Sequence, residues 1–171
     1  MTMQEKGAHP DVRIRPAEPR DAETMHGAIM ALGRFLGQDG KIASTAEDFR
    51  RYGFGPNAAF SGYIAEVDGE FAGLCLYFPI FSTWLGRPGV YVQDLYVDDR
   101  FRGRRIGESL LKTVAAWSRE RGGVYLRLAV DTANVTAHDF YERVGLSWLD
   151  TDREHGAYGE AFRALAGKGE I

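Results

Sequence analysis

The stretch "VQDLYVDDRFRGRRIGESLLKTVAAW" (residues 92–117) decides the fold. It begins with an apolar, strand-like run, continues through two aspartates and a turn rich in arginine and glycine, and ends in a helical pattern. Leu110, Leu111, Val114 and Trp117 fall on one face of that helix. A helix start has unsatisfied N–H groups and the positive end of the helix dipole, so the segment predicts a helix N-terminus favourable to an anion.

The arginine-glycine turn between strand and helix has two interpretations. Its glycines permit a tight turn and a close approach of ligand to backbone, and its arginines can pair with phosphate oxygens. The turn therefore either binds a phosphate or is a solvated basic loop before a capped helix, and its spacing does not separate these two. Other phosphate motifs fit poorly, since the chain has no Gly-x4-Gly-Lys-Ser/Thr and no Gly-x-Gly-x-x-Gly followed by an acid.

Composition indicates one globular domain. The chain has 171 residues, of which 44% are hydrophobic and 26% charged, with a formal net charge of -3. This charge gives no overall basic field for nucleic acid. Cys75 is the single cysteine and lies in an apolar run, so we expect a buried, inert thiol, no disulfide and no thiolate metal site.

The chain shows no membrane or export signal. No apolar segment is long enough to cross a bilayer, and the polar start "MTMQEKGAHPD" lacks the core of a signal peptide. We expect a cytoplasmic protein with a flexible tail over residues 1–11 and one domain over residues 12–171.

The order of predicted elements is strand, two helices, three strands, helix, strand, helix, strand. A hairpin turn is predicted at Asp68 and Gly69, and a capping box of Ser44 with Glu47 starts the second helix. Gly145 is predicted to close the last of these helices, "LSWLD" reads as the final strand, and "AYGEAFRALAG" forms a short strand or a short helix. This order is typical of an α+β (mixed α/β) fold with a largely shared sheet.

The chain resembles the GNAT N-acetyltransferases. The pattern of strand, Gln/Arg-x-x-Gly-x-Gly/Ala and helix is similar to that family's acetyl-CoA motif, and "FYERVGL" (residues 140–146) is similar to its second hallmark. The likeness extends to about Phe162. Within the family the chain is closest to the diamine (spermidine/spermine-type) subgroup, through "STAEDFRRYGFG", "YFPIFSTWLGRPGVYVQDLYV" and "NVTAHDFYERVG".

This resemblance implies a fold and an activity. The fold would be a central, mostly antiparallel twisted sheet of six to seven strands flanked by about four helices. The activity would be transfer of an acetyl group from acetyl-CoA to a primary amine of a small molecule, by direct attack in a ternary complex and without a metal. The family also implies a homodimer, while the net charge and the short apolar segments described above predict no nucleic acid and no membrane as partner.

The resemblance also assigns a cofactor site. The turn would wrap the pyrophosphate of acetyl-CoA and the preceding strand would hold its pantetheine arm. Arg105 stands where the motif has its middle glycine, and we expect it to be already helical and unstrained. Asn134 is either a cofactor ligand or a simple helix N-cap. The full set is Leu95, Tyr96, Val97, Arg102, Gly103, Arg104, Arg105, Ile106, Gly107, Glu108 and Asn134.

Tyr141 is the catalytic residue that the resemblance assigns, as the proton donor to the leaving thiolate. The alternative is an aromatic residue half-buried on an amphipathic helix. The base is less defined, because the subgroup's carboxylate is replaced by Gln93 and an amide cannot accept a proton at neutral pH. Consecutive strand residues face opposite ways, so Asp94 cannot simply replace it. We expect Asp94 to be a structural acid bonded to nearby backbone, with a water chain or a neutral amine serving instead.

The acceptor site differs from that of the subgroup. Two further acidic positions of the subgroup correspond to Leu36 and Arg153, and a polycation needs carboxylates to replace its lost hydration, so we expect poor binding of spermidine. Arg153 either pairs with a substrate carboxylate or, as we prefer, is an exposed surface arginine. An acyl-CoA-binding module without turnover and a protein N-acetyltransferase stay open as alternatives. The substrate-binding candidates are Phe35, Leu36, Gln93, Asp94, Arg127 and Arg153.

Overall fold

Helices and strands alternate in an α+β order along the chain. The structure, a computed structural model, describes residues 12–149 and 155–167. These residues form two compact units, one ending at Ala129 and the other beginning at Val130. The predicted tail over residues 1–11 lies outside the described residues, and the single domain over residues 12–171 stays a prediction.

The first unit contains one five-stranded sheet and three α-helices. The strands lie in sequence order across the sheet. Neighbouring strands are antiparallel except for the last pair, which is parallel. The elements are β1 (Val12–Pro16), α1 (Ala22–Phe35), α2 (Ala46–Gly53), β2 (Ser61–Val67), β3 (Glu70–Ser82), β4 (Arg87–Val97), α3 (Ile106–Arg119) and β5 (Leu126–Leu128). The predicted fold class is confirmed, while the described part of the chain has five strands in place of six to seven.

The second unit contains two short helices, α4 (Val135–Arg143) and α5 (Gly159–Ala166). Gly145 closes α4 at φ 94°, as predicted. The predicted strand "LSWLD" is wrong for residues 146–149, which form no strand. A strand needs a neighbour for its N–H and C=O groups, and no described strand pairs with this segment. The tail that was left open as strand or helix is helix α5, which makes five α-helices in the described residues against about four expected.

Two layers of helix cover opposite faces of the sheet. On one face Met25 and Ala28 of α1 pack with Leu74 and Leu76 of β3 in a buried cluster. On the other face α3 approaches β3 so closely that a Cβ at Gly73 would lie 3.2 Å from a methyl group of Leu110. Each face is therefore closed by apolar side chains, and this burial is the main stabilising contribution to the unit.

Cys75 lies inside this sandwich and is fully buried. Burial raises the pKa of its thiol to about 12. The predicted inert thiol is confirmed, because a protonated thiol is a poor nucleophile.

Two local predictions can be compared directly with the structure. Asp68 and Gly69 have φ of 52° and 82°, as a two-residue hairpin between β2 and β3 requires, so the predicted turn is confirmed. The predicted capping box is displaced by one residue: the Thr45 N–H donates to the Asp48 carboxylate at 2.7 Å, and the Thr45 hydroxyl accepts from the Asp48 N–H at 3.4 Å. The predicted pair of Ser44 with Glu47 and the observed pair of Thr45 with Asp48 each place a hydroxyl three residues before a carboxylate, so residue type alone does not decide between them.

A charged network fixes the start of α1 to the edge of the sheet. The Arg15 guanidinium on β1 contacts the carboxylates of Asp21 at 2.7 Å and Glu66 at 2.9 Å. The Asp21 carboxylate also accepts the Glu18 N–H at 2.7 Å. Asp21 is buried, and its hydrogen bonds from Arg15 hold the pKa of its carboxyl below the usual range.

We predict that Asp21→Asn destabilises the fold by roughly 2 kcal/mol at pH 7, the typical contribution of hydrogen bonds to a charged group. Because the folded-state pKa of Asp21 is lowered, its contribution is present above the unfolded-state pKa and is lost as pH falls through the folded-state value. Urea denaturation at pH 7 and below about pH 4 should show that the difference in free energy of unfolding between the variant and the unmodified protein is smaller in acid. Asp139→Asn, on the exposed surface of α4, is the control, and an equal deficit there would contradict the assignment.

Candidate active site

Strand β4 has different neighbours along its length. It pairs with β3 from Arg87 to Val97, whereas it pairs with β5 only from Val90 to Val92. Beyond Val92, one edge of β4 therefore has no strand partner among the described residues. Unpaired backbone N–H and C=O groups of this kind can bind an extended ligand as an added strand would bind. The predicted pantetheine-binding residues Leu95, Tyr96 and Val97 lie on this open edge.

A β-bulge lies where the open edge begins. Val92 pairs with Tyr77 and Asp94 pairs with Leu76, so Gln93 is an extra residue in β4. Asp94 consequently lies on the α1 face of the sheet with Leu76. The regular alternation across residues 92–94 assumed from the sequence is wrong, because the extra residue reverses which positions of β4 share a face.

The Asp94 carboxylate is half-buried and accepts no hydrogen bond from any described residue. The expectation that it is a structural acid bonded to backbone is therefore wrong. Burial without a compensating donor disfavours the charged form, and it raises the pKa of Asp94 to about 6. A carboxylate with such a pKa is ionised at neutral pH and suited to accepting a proton.

The turn after β4 contains two left-handed residues. Gly103 has φ 78° and Arg105, immediately before α3, has φ 59°. Within the described part of the chain, no backbone N–H of residues 103–107 donates to an acceptor. A Cβ built at Gly103 meets nothing within 4 Å, so this face of the turn is open. These N–H groups, at the positive end of α3, fit a phosphate-bearing ligand.

Arg105 corrects one prediction from the sequence. We expected a helical, unstrained residue, but its backbone is left-handed. The left-handed residue lies between the short 3-10 turn Asp99–Phe101 and the first residue of α3, where the chain changes course. An L-residue other than glycine loses about 1–2 kcal/mol there.

The arginines of the turn occupy different surroundings. Arg102 binds Asp99 at 2.7 Å, and its guanidinium lies 4.8 Å from the ring centre of Phe35 at the end of α1. Arg104 lies 5.4 Å from the ring centre of Phe101. Arg105 is 84% exposed and 3.4 Å from the carboxylate of a first-turn glutamate of α3. Positive charge thus surrounds the turn, whereas Ile106 and Gly107 at the start of α3 are buried. Arg102 joins the turn to α1.

The substrate-binding candidates lie at several places. Phe35 and Leu36 are the last residue and the C-cap of α1, and both are exposed. Gln93 is exposed at the bulge. Arg127 on β5 pairs with the tyrosine at position 91, and its guanidinium lies 5.8 Å from the ring centre of another tyrosine, at position 125. Arg153 lies outside the described residues.

The second unit holds the remaining candidates, Tyr141 and Asn134. Tyr141 is half-buried on α4, with its ring centre 5.1 Å from that of Phe140. Its role as proton donor stays a prediction. The Asn134 side chain accepts the Ala137 N–H at 3.2 Å, which confirms the N-cap alternative. Its cofactor role also stays a prediction.

Sequence reasoning missed two features of this site, the bulge and the contact between Arg102 and Phe35. No sequence signal marks the bulge, because it arises from the register of two strands. In the residues that the structure describes, no cluster of His, Cys, Asp or Glu is suited to a metal ion. No helix within the described ranges is long and apolar enough to cross a membrane.

An open strand edge followed by a helix start whose first N–H groups have no acceptor is suited to an extended, phosphate-bearing ligand. The chain belongs to the acetyltransferase (GNAT) family, whose sequence profile matches residues 32–146. It is 34% identical over 168 residues to the thialysine N-epsilon-acetyltransferase of Sus scrofa, covering 92% of this chain and 98% of that protein. The protein is an N-acetyltransferase, and the predicted family and class of activity are confirmed.

Solved structures share this fold at lower sequence identity. The V. cholerae integron cassette protein VCH_CASS6 superposes with a TM-score of 0.76 at 23% identity, covering 91% of this chain and 97% of that chain. The aminoglycoside N-acetyltransferase AAC(6')-Iy in complex with CoA gives a TM-score of 0.66 at 16% identity, covering 90% of this chain and 98% of that chain. These likenesses show that the α+β architecture is that of the family.

We predict that Arg105→Gly raises the free energy of unfolding by about 1 kcal/mol, because the release of left-handed strain exceeds the added entropy of the unfolded glycine. Urea denaturation of the unliganded protein measures this. Arg104→Gly is the matched control, since it removes the same charge at a residue without positive φ. An equal gain in both variants would show that charge, not backbone strain, is responsible.

Proposed function

We propose that the protein transfers the acetyl group of acetyl-CoA to the side-chain amine of a small amino acid of the thialysine or lysine type. The observation that supports the donor is the continuity of the open edge of β4 with the N–H groups of residues 103–107. Acetyl-CoA, when bound, supplies an activated thioester carbonyl. The resemblance in fold to an acetyltransferase in complex with CoA is consistent with this choice.

Each part of the donor has a suitable partner in the first unit. The N–H groups of residues 103–107 would bind the pyrophosphate, with added charge from Arg104 and Arg105. The open backbone of Leu95, Tyr96 and Val97 would bind the amides of the pantetheine arm. Glu108 is the last of the predicted cofactor-binding residues. Its carboxylate is paired with Lys112 at 2.6 Å, which offsets its negative charge near the phosphates.

The acceptor assignment follows from charge. At the bulge the site offers one carboxylate, Asp94, beside the neutral amide of Gln93. One carboxylate suits one ammonium group, whereas a polyamine needs several to replace its hydration. The likeness to a thialysine acetyltransferase over most of both chains supports an amino-acid acceptor. Phe35, held near the donor turn by Arg102, and Leu36 would contact the apolar part of such a substrate.

Transfer would be direct, in a ternary complex. Cys75 is fully buried and its pKa is raised to about 12, so it does not provide a thiolate for a covalent intermediate. Tyr141 would donate a proton to the departing thiolate, as the family resemblance assigns.

We also propose that the protein is a cytoplasmic homodimer. The tip of the β3–β4 hairpin exposes Phe81, Trp84 and Leu85, with Trp84 97% exposed. An apolar group of this size suits contact with a second copy of the chain. A single reduced cysteine is consistent with a reducing compartment.

We predict that free CoA is released when the protein is mixed with acetyl-CoA and thialysine, lysine or ornithine, and that spermidine reacts much more slowly. Thiol release across a panel of amines measures this, with acetyl-CoA affinity measured by calorimetry. Spermidine as the best substrate would contradict the charge argument. Tight binding of acetyl-CoA without release for any amine would contradict the proposed function itself.

We predict that Tyr141→Phe lowers kcat by at least about 10²-fold, the lower end of the effect of a general acid, while acetyl-CoA affinity changes little. Steady-state kinetics and calorimetry give the two quantities. Tyr158→Phe makes the same chemical change at a side chain that is 83% exposed, and should have no effect. Equal kcat for Tyr141→Phe and the unmodified protein would remove Tyr141 from the mechanism.

A further inference from the structure

We infer that the Asp94 carboxylate accepts the proton of the acceptor ammonium, as the catalytic base of this acetyltransferase. The inference rests on the proposed function and specifies the residue that starts its chemistry. Gln93, which stands where the subgroup has a carboxylate, cannot do this, because an amide does not accept a proton at neutral pH.

The position of Asp94 in the sheet is the first argument. The bulge at Gln93 puts Asp94 on the α1 face, paired with Leu76. Asp94 is also the first paired residue of β4 beyond the last contact with β5, so it lies where the open edge begins. A ligand extended along that edge ends beside this residue, as the reacting end of the donor must.

The availability of the carboxylate is the second argument. No described residue donates a hydrogen bond to Asp94. In the described part of the chain, every buried side-chain oxygen has a hydrogen-bond partner, so an oxygen without a partner cannot be a buried one. The Asp94 oxygens therefore reach the surface while the residue is half-buried. A carboxylate that is accessible, unbonded and partly desolvated is ready to bind a cation.

The neighbouring titratable groups on the sheet do not neutralise this charge. On β3, Cys75 is a neutral thiol whose pKa is raised by burial and by the charge of Asp94. On β4, Tyr96 has its pKa raised by burial, so its phenol stays neutral. On β5, Arg127 is exposed and lies over an aromatic ring.

The helices packed against β4 also leave Asp94 without an ionic partner. On α1, His26 is hydrogen-bonded to the Ser44 carbonyl at 2.8 Å. Arg34, on the same helix, acts weakly on the Tyr96 phenol, whose pKa burial nevertheless raises, and it does not act on Asp94. On α3, which covers the other face, Lys112 is paired with Glu108. Burial alone accounts for the raised pKa of Asp94, about 6.

The reaction balances with these groups. The ammonium gives one proton to the Asp94 carboxylate, and the neutral nitrogen forms a bond to the acetyl carbon while the carbon–sulfur bond breaks. The departing thiolate takes a proton, from Tyr141 by the assignment above. The nitrogen, now bonded to the acetyl carbon, then loses a further proton. This proton passes through solvent to the tyrosine and restores its phenol, and Asp94 releases its own proton to solvent.

The experiment compares kcat between pH 5.5 and pH 9.5 for the unmodified protein, Asp94→Asn and Asp94→Glu with lysine or thialysine as acceptor. For the unmodified protein, kcat/KM over the same range should rise through the free-enzyme pKa of about 6 and then level. In Asp94→Asn, kcat should be about 10²-fold lower at pH 7. It should then rise tenfold per pH unit as the amine deprotonates in solution. This variant should lose little with a fluorinated analogue whose amine is already neutral at pH 7. Asp94→Glu should restore part of the rate, together with the rise of the rate at the acid end of the pH profile.

A direct titration supplies a readout that does not depend on turnover. The carboxyl ¹³C resonance of Asp94 in the unliganded protein should titrate near pH 6. Asp68→Asn, at the exposed hairpin turn, is the matched control and should leave kcat and its pH profile unchanged. Melting temperatures of all variants exclude unfolding as the cause of a lost rate.

The outcomes separate this inference from the proposed function. Turnover by the unmodified protein with the same pH profile in Asp94→Asn would overturn the role of Asp94 and leave the proposed function intact. A rise in KM with unchanged kcat would also overturn it, since Asp94 would then only bind the ammonium. Binding of acetyl-CoA without turnover of any amine by the unmodified protein would overturn the proposed function itself, and the inference with it.

Discussion

The site depends on one constraint, the end of the pairing between β4 and β5 at Val92. β4 stays paired with β3 to Val97, so it gains an open edge without losing its place in the sheet. The backbone groups on that edge need partners, and in the proposed function the extended donor supplies them. The extra residue Gln93 lies at the same point, and it turns Asp94 to the α1 face where the edge opens.

A second constraint acts at the turn that follows. Its left-handed Arg105 is strained, and strain persists only where the surroundings determine the conformation. Here Arg100 binds Asp98 and Glu70, both at 3.0 Å, and Arg102 binds Asp99, so charged pairs on either side of the reversal fix its course. These pairs use side chains alone, so the backbone N–H groups of residues 103–107 keep no acceptor among the described residues.

Features that local pattern determines could be predicted from the sequence. The hairpin at Asp68 and Gly69, the amphipathic helices and the strand-turn-helix segment all follow from residues a few positions apart. The bulge depends on the register between β3 and β4, and the raised pKa of Asp94 depends on burial by distant residues. The predicted strand over residues 146–149 failed for the same reason, since strand formation requires a partner. The left-handed conformation of Arg105 was missed because arginine rarely adopts it.

The uncharged amide of Gln93 bears on how its neighbour Asp94 titrates. Two adjacent carboxylates would couple and share their protons, whereas Asp94 titrates alone with a pKa set by burial. A substrate that covers the site excludes water and strengthens the same effect, so the neutral form of Asp94 becomes more favourable as the ammonium gives up its proton. Under the role inferred for Asp94, desolvation therefore acts in the direction of proton transfer.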